Sequence, residues 1–201
     1  MYNTLALTIW PYEADKKLLR NVMLAVVGTL LLTLSAKVSI PFYPVPMTMQ
    51  TLVVLALGMA YGWKLGAATI VLYLAEGAVG LPVFSGTPDK GIGLVYMVGG
   101  TGGYLLGFIL AAALTGYLAE HGWDRNIVTT ALAMLLGNLL IYVPGLLWLG
   151  SLYGWDKPIL DWGLTPFLFG DLVKLVIAAV AMPMCWRVVR KRAKTPTPTS
   201  D

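Results

Sequence analysis

The sequence predicts an all-α, polytopic membrane protein: six transmembrane helices, long outer loops and both termini in the cytoplasm. Three observations carry that expectation. Of 201 residues, 58% are apolar and 12% are charged, whereas a soluble domain holds about 45–50% and about 25%. Charge is absent from long stretches, 21–36, 38–63, 91–119 and 126–155, and a membrane helix needs roughly 20 mostly apolar residues. Finally, Lys and Arg, which favour cytoplasmic loops, fall unevenly between the two faces that six spans define. With a mean hydropathy of +0.75, the composition excludes an ordinary cytosolic enzyme and a disordered chain. One cysteine and one histidine exclude an internal disulfide framework and most histidine-based metal sites, and no metal site is expected.

Taken in order, residues 1–17 form a cytoplasmic or interfacial N-terminal segment, within which 4–10 read as a short amphipathic piece. The membrane domain covers 18–190, and 191–201 form a basic cytoplasmic tail. Spans are expected at about 18–36, 48–63, 65–80, 97–119, 127–149 and 164–188. The first is preceded by Glu13 and Asp15, unlike a cleaved signal peptide. The second and third are short and joined at Gly62-Trp63-Lys64; they read as two spans or as one re-entrant pair. Two spans place both termini on one side. That side then holds Lys16, Lys17, Arg20, Lys64, Arg125, Arg187, Arg190, Lys191, Arg192 and Lys194, against Lys37, Lys90 and Lys157 on the other. The net charge of +4 is thus explained by basic residues facing anionic lipid. No nucleic-acid partner is called for.

The outer connections are long. Residues 37–47 carry Pro41, Pro44 and Pro46, which enforce an extended path. Residues 80–96 are rich in Gly and contain Pro82 and Pro88, and 150–163 carry Trp155, Asp156, Lys157, Asp161 and Trp162. Loops of this length in a small protein are usually functional, and three on one face suit a lid over an outward pocket.

Polar residues inside the apolar segments supply the candidate site. Asp171 and Lys174 stand at i and i+3 and share a helix face. With the sixth span starting near Leu164, Asp171 lies about 10 Å along it. An ionised residue at such depth costs roughly 2.5–3.5 kcal/mol and marks a functional site by default, although a self-satisfied pair remains an alternative. Gln50 and Thr51 open the second span, Tyr73 and Glu76 lie near the outer end of the third, and Asn138 and Tyr142 share a face of the fifth. Each of these also suits an interhelical hydrogen bond. Gly99-Gly100-Thr101-Gly102-Gly103 lacks the Lys-Ser/Thr of a phosphate loop and reads as close backbone approach at a helix start. A small-residue ladder on the first span, Ala25, Thr29 and Thr33, suits close packing, within the chain or against a partner subunit.

Four motifs carry a resemblance: Pro44-Val45-Pro46-Met47-Thr48-Met49-Gln50-Thr51; Tyr73-Leu74 leading to Gly80-Leu81-Pro82-Val83-Phe84; Thr101-Gly102-Gly103-Tyr104-Leu105-Leu106-Gly107-Phe108; and Gly170-Asp171-Leu172-Val173-Lys174. Running in this order from about residue 24 to 185, they resemble the BioY family, the biotin-specific substrate-binding (S) components of energy-coupling-factor (ECF) vitamin transporters. The resemblance implies six helices in a bacterial cell membrane and biotin, the transported ligand, bound from the outer side, with no cofactor in this chain. It also implies energising partners, a transmembrane coupling subunit and a pair of ATPases. Asp171 and Lys174 become biotin contacts, and Gln50, Thr51 and the segment from Gly86 to Lys90 become pocket walls. Lys90 is the candidate for the ligand carboxylate, and Ala25 with Thr29 the candidate surface for the coupling subunit. Two positions depart from the family pattern: Gly100, where proline is usual, and Thr29, where a second alanine is usual. A stand-alone secondary transporter would predict internal repeats, and none is visible; an S component for another small vitamin is the nearer alternative. An intramembrane enzyme lacks support, since His121 falls in a cytoplasmic loop and no His-Glu-x-x-His or Gly-x-Ser-x-Gly occurs.

Overall fold

The computed structural model describes residues 3–11 and 14–194. Helices dominate: α1 Leu5–Ile9, α2 Lys17–Lys37, α3 Gln50–Tyr61, α4 Trp63–Ala78, α5 Gly93–Met97, α6 Gly102–Glu120, α7 Ile127–Tyr153, α8 Ile159–Gly163 and α9 Leu168–Lys194. A two-residue hairpin, β1 Ser39–Ile40 against β2 Met47–Thr48, pairs antiparallel and contains the proline cluster. Four segments are long and apolar enough to cross a membrane: Lys17–Lys37, Gly102–Glu120, Ile127–Tyr153 and Ile159–Arg190. With 12 and 16 residues, α3 and α4 are about 18 Å and about 24 Å long, short of a hydrocarbon layer of about 30 Å.

Several boundaries differ from expectation, each for a local reason. α3 begins at Gln50 because β2 holds residues 47–48 extended. Gly62, at φ +83°, ends α3 and starts α4; a Cβ there would fall 2.4 Å from Glu120 Oε1. α6 starts at Gly102 instead of 97, because the glycines at 99 and 100 separate it from the short α5. Pro144 lies inside α7 without ending it. Thr165–Phe167 form a 3₁₀ turn with Pro166 near its start, so α9 begins about one turn later than expected. At its other end α9 continues through Lys194, so the expected tail starts as helix; residues 195–201 lie outside the described residues.

The core is organised around α6, which packs against α7, α3 and α4. Small residues recur on it every four positions, Gly103, Gly107, Ala111, Thr115 and Ala119, and all five are buried. Such a ladder lets backbones approach closely. A Cβ on Gly107 would lie 2.7 Å from Ile141 Cα, and one on Gly103 would lie 2.3 Å from the Pro144 carbonyl oxygen. Exposed positions on α2, α7 and α9 are occupied by Leu30, Leu34, Leu139, Val143, Leu172 and Val176, an apolar exterior suited to lipid.

The α2 ladder is used inside the chain. Ala25 and Thr29 are only 9% and 3% exposed, and a Cβ on neighbouring Gly28 would lie 2.5 Å from Thr69 Cγ2 of α4. Of the two readings of this ladder, packing within the chain is the one these contacts support, with α2 against α3 and α4. α1 likewise packs on the bundle, burying Leu5 and Ala6. At the end where α6 passes into α7, Trp186 Nε1 of α9 donates to Asp124 Oδ2 at 2.5 Å, and the Arg125 guanidinium stacks 4.4 Å from the Trp186 ring centre. Burial raises the pKa of Asp124, opposed by the Trp186 hydrogen bond and by Arg125.

Candidate ligand-binding site

At the opposite end, the N-terminal parts of α3, α6 and α9 and the C-terminal part of α7 surround a cavity of about 570 Å³, open mouth included. α9 starts at Leu168, so Asp171 is its fourth residue, about 4.5 Å along rather than the expected 10 Å. There the helix macrodipole favours a negative charge.

Asp171 and Lys174 each show 6% exposure, with Lys174 Nζ donating to Asp171 Oδ1 at 2.9 Å. Thr51 of α3 completes a triangle: its hydroxyl donates to Asp171 Oδ1 at 3.2 Å and accepts from Lys174 Nζ at 2.9 Å. The Tyr142 hydroxyl of α7 donates to the other carboxylate oxygen. Three helices therefore converge on one buried ion pair, and each polar atom there has a partner. Gln50 lines the cavity beside Thr51 and donates from Nε2 to the Tyr73 hydroxyl at 2.8 Å; Tyr73 in turn donates to the Val83 carbonyl at 2.9 Å.

The remaining wall is apolar and aromatic. Tyr104, Leu105 and Phe108 come from α6, Ile141 from α7 and Phe167 from the turn before α9. Tyr104 packs edge-on against Tyr142 and donates to the Gly163 carbonyl at 2.8 Å. Two loops cover this wall. The hairpin brings Val45, Pro46 and Met47, and its Phe42 packs edge-on against Phe167. The loop after α4 brings Phe84 and Ser85, with Phe84 stacked on Tyr96 at 4.8 Å and edge-on to Tyr73 at 5.4 Å.

Of the candidate residues, Asp171, Lys174, Thr51, Gln50 and Tyr142 thus meet in one cavity. Tyr73 stands behind the wall and acts on it through Gln50. Asn138 is buried below Tyr142, does not line the cavity, and leaves Oδ1 without a hydrogen bond among the described residues. Gly86 and Lys90 stand outside the lining. Gly86 adopts φ +70°, the Lys90 stem lies along it, and Lys90 is exposed. The aromatic wall and the lid contacts carry no distinct signal in the sequence, because Phe and Tyr in apolar helices also fit ordinary packing.

Residues 6–191 match the BioY family. This chain belongs to that family. A biotin transporter BioY of Thermotoga maritima is 36% identical over 162 residues, spanning 81% of this chain and 93% of the relative. A probable biotin transporter BioY of Pyrococcus horikoshii is 34% identical over 161 residues, spanning 80% and 93%. Among solved structures, the S-component for biotin from an ECF-type ABC transporter superposes with a TM-score of 0.69 at 20% identity, covering 92% of this chain and 96% of that one. FolT bound with folic acid gives 0.53 at 20% identity, over 83% and 90%. One fold therefore accommodates a biotin component and a folate binder, and the cargo is selected by side chains. The BioY relatives are transporters, which sets aside the enzyme alternative. At Gly100, where this chain departs from the BioY pattern, a Cβ would meet its neighbours at 3.5 Å or more, so the turn has room for a side chain.

Proposed function

We propose that this chain is the biotin-binding S component of an ECF-type transporter. It takes biotin from the outer side of a bacterial cell membrane and is energised by a transmembrane coupling subunit with a pair of ATPases. The buried Asp171–Lys174–Thr51–Tyr142 cluster in an aromatic-walled cavity carries this reading. A ureido ring presents two N–H donors and one carbonyl acceptor. A carboxylate accepts from the former and an ammonium donates to the latter, each as a charge-assisted hydrogen bond, while flat aromatic faces cover the fused ring. In this reading the chain crosses the membrane six times with both termini inside, α3 and α4 spanning a locally thinned bilayer. The basic asymmetry supports that orientation.

Calorimetric titration of the detergent-solubilised protein is expected to give one biotin bound per chain with sub-micromolar affinity. No heat with biotin, but binding of another vitamin, would transfer the same cavity to a different cargo. For the topology, Thr87→Cys and Arg192→Cys, each made after replacing Cys185, should react with an impermeant thiol reagent from opposite sides of the membrane. Reaction of both from one side would refute six spans.

A further inference from the structure

Lys37 is an exposed basic residue of the outer face, yet its ammonium is gathered in by a concentrated set of acceptors. It is the last residue of α2, and its ammonium lies near four oxygens of one loop. These are the carbonyls of Pro82 at 2.8 Å, Phe84 at 2.9 Å and Thr87 at 3.3 Å, and the Thr87 hydroxyl at 3.0 Å. An ammonium has three protons, so every donor is engaged, and among these four oxygens none belongs to a carboxylate. The Thr87 hydroxyl also donates to the Phe84 carbonyl at 2.7 Å, which closes the 84–87 turn around the cation. That turn presents Phe84 and Ser85, 1% and 2% exposed, to the cavity. On its other side, Lys37 is two residues from β1, whose hairpin supplies Val45, Pro46 and Met47 to the same cavity.

We propose that Lys37 is the clasp of the lid: it pins the 82–87 loop to the end of α2 and so holds Phe84 over the bound ligand. The inference rests on the biotin-binding reading above. Lys37 does not itself line the cavity; it bonds the Phe84 backbone from behind and is a positioning residue, acting through Phe84 and the Phe84–Tyr96 stack. A compact ammonium with three rotatable donors suits convergent carbonyls better than a planar guanidinium, but arginine keeps the charge and the donors.

Stopped-flow displacement of a fluorescent biotin tests the clasp, together with backbone hydrogen exchange of the ligand-free protein. For Lys37→Met, dissociation is expected to quicken about tenfold or more while association changes less than twofold. Amides of residues 82–90 should exchange faster, with those of α6 and α7 unchanged. Lys37→Arg should recover most of the slow dissociation. A dissociation rate for Lys37→Met within twofold of the parent overturns the proposal. So does loosening that spreads through α6 and α7, or an arginine variant as fast as the methionine one. The exchange arm needs no ligand: if the unaltered protein does not bind biotin, the function falls, and the clasp is still read from residues 82–90.

Discussion

Replacing Asp171 by asparagine should weaken biotin binding by about a hundredfold or more, and Lys174→Met should do the same. Each side chain is almost wholly buried, and each is the other's only ionic partner among the described residues. Breaking such a pair from one side costs about 3–5 kcal/mol, and about 1.4 kcal/mol is a factor of ten in affinity. Part of that cost falls on the empty protein, because the surviving charge is orphaned with or without ligand. Making both replacements together separates the two effects. With no orphan charge, the double variant should regain thermal stability close to that of the parent, yet calorimetric titration should still show no tight binding. Binding restored in the double variant would make the pair purely structural and move the ligand contacts elsewhere.

The second large effect is expected at Gly107, where leucine should lower the melting temperature sharply and abolish binding. The atoms a Cβ would meet are backbone, Ile141 Cα at 2.7 Å and the Leu140 carbonyl oxygen at 2.8 Å, so no side-chain rotation relieves the clash. Overpacking a well-packed core costs typically about 1–3 kcal/mol, and displacement of two helix backbones places this case at the upper end or beyond. Binding should fail with stability, because Tyr104, Leu105 and Phe108 stand on the same helix and line the cavity. Gly80→Ala is the control: nothing lies within 4 Å of its Cβ, and only the left-handed backbone, φ +98°, disfavours alanine, by about 1–2 kcal/mol. Thermal unfolding of both variants, followed by tryptophan fluorescence in detergent, checks the contrast. Similar melting temperatures would mean that the α6–α7 seam is not tightly packed.

What was legible in advance follows from what side chains announce. Charge-free stretches bounded by Gly and Pro place the long helices, because insertion into lipid depends on composition. The Asp171–Lys174 pair is conspicuous because charge is costly in that setting. The start of α9 is not legible, since Pro166 is equally at home in the first turn of a helix and in the 3₁₀ turn it actually occupies. The ladder from Gly103 to Ala119 is legible as small residues every four positions, but the shorter set in α2 carries the same spacing, so spacing alone does not rank the two. Lys37 could not have been read at all. Its partners are mainly backbone carbonyls, which every residue possesses, and only the folded loop brings them together.

The closed triangle of Thr51, Asp171 and Lys174 has a consequence for how recognition divides its labour. An arriving cargo swaps hydrogen bonds with a site that is already saturated, and such an exchange yields little net free energy. A mismatched cargo instead leaves a buried donor or acceptor stranded, at about 1–3 kcal/mol and more for a charged group. Under the proposed function, the polar corner would vet identity and the aromatic wall would supply adhesion. Substitutions along Tyr104, Phe108 and Phe167 would tune how long the cargo stays and leave unchanged which cargo is admitted.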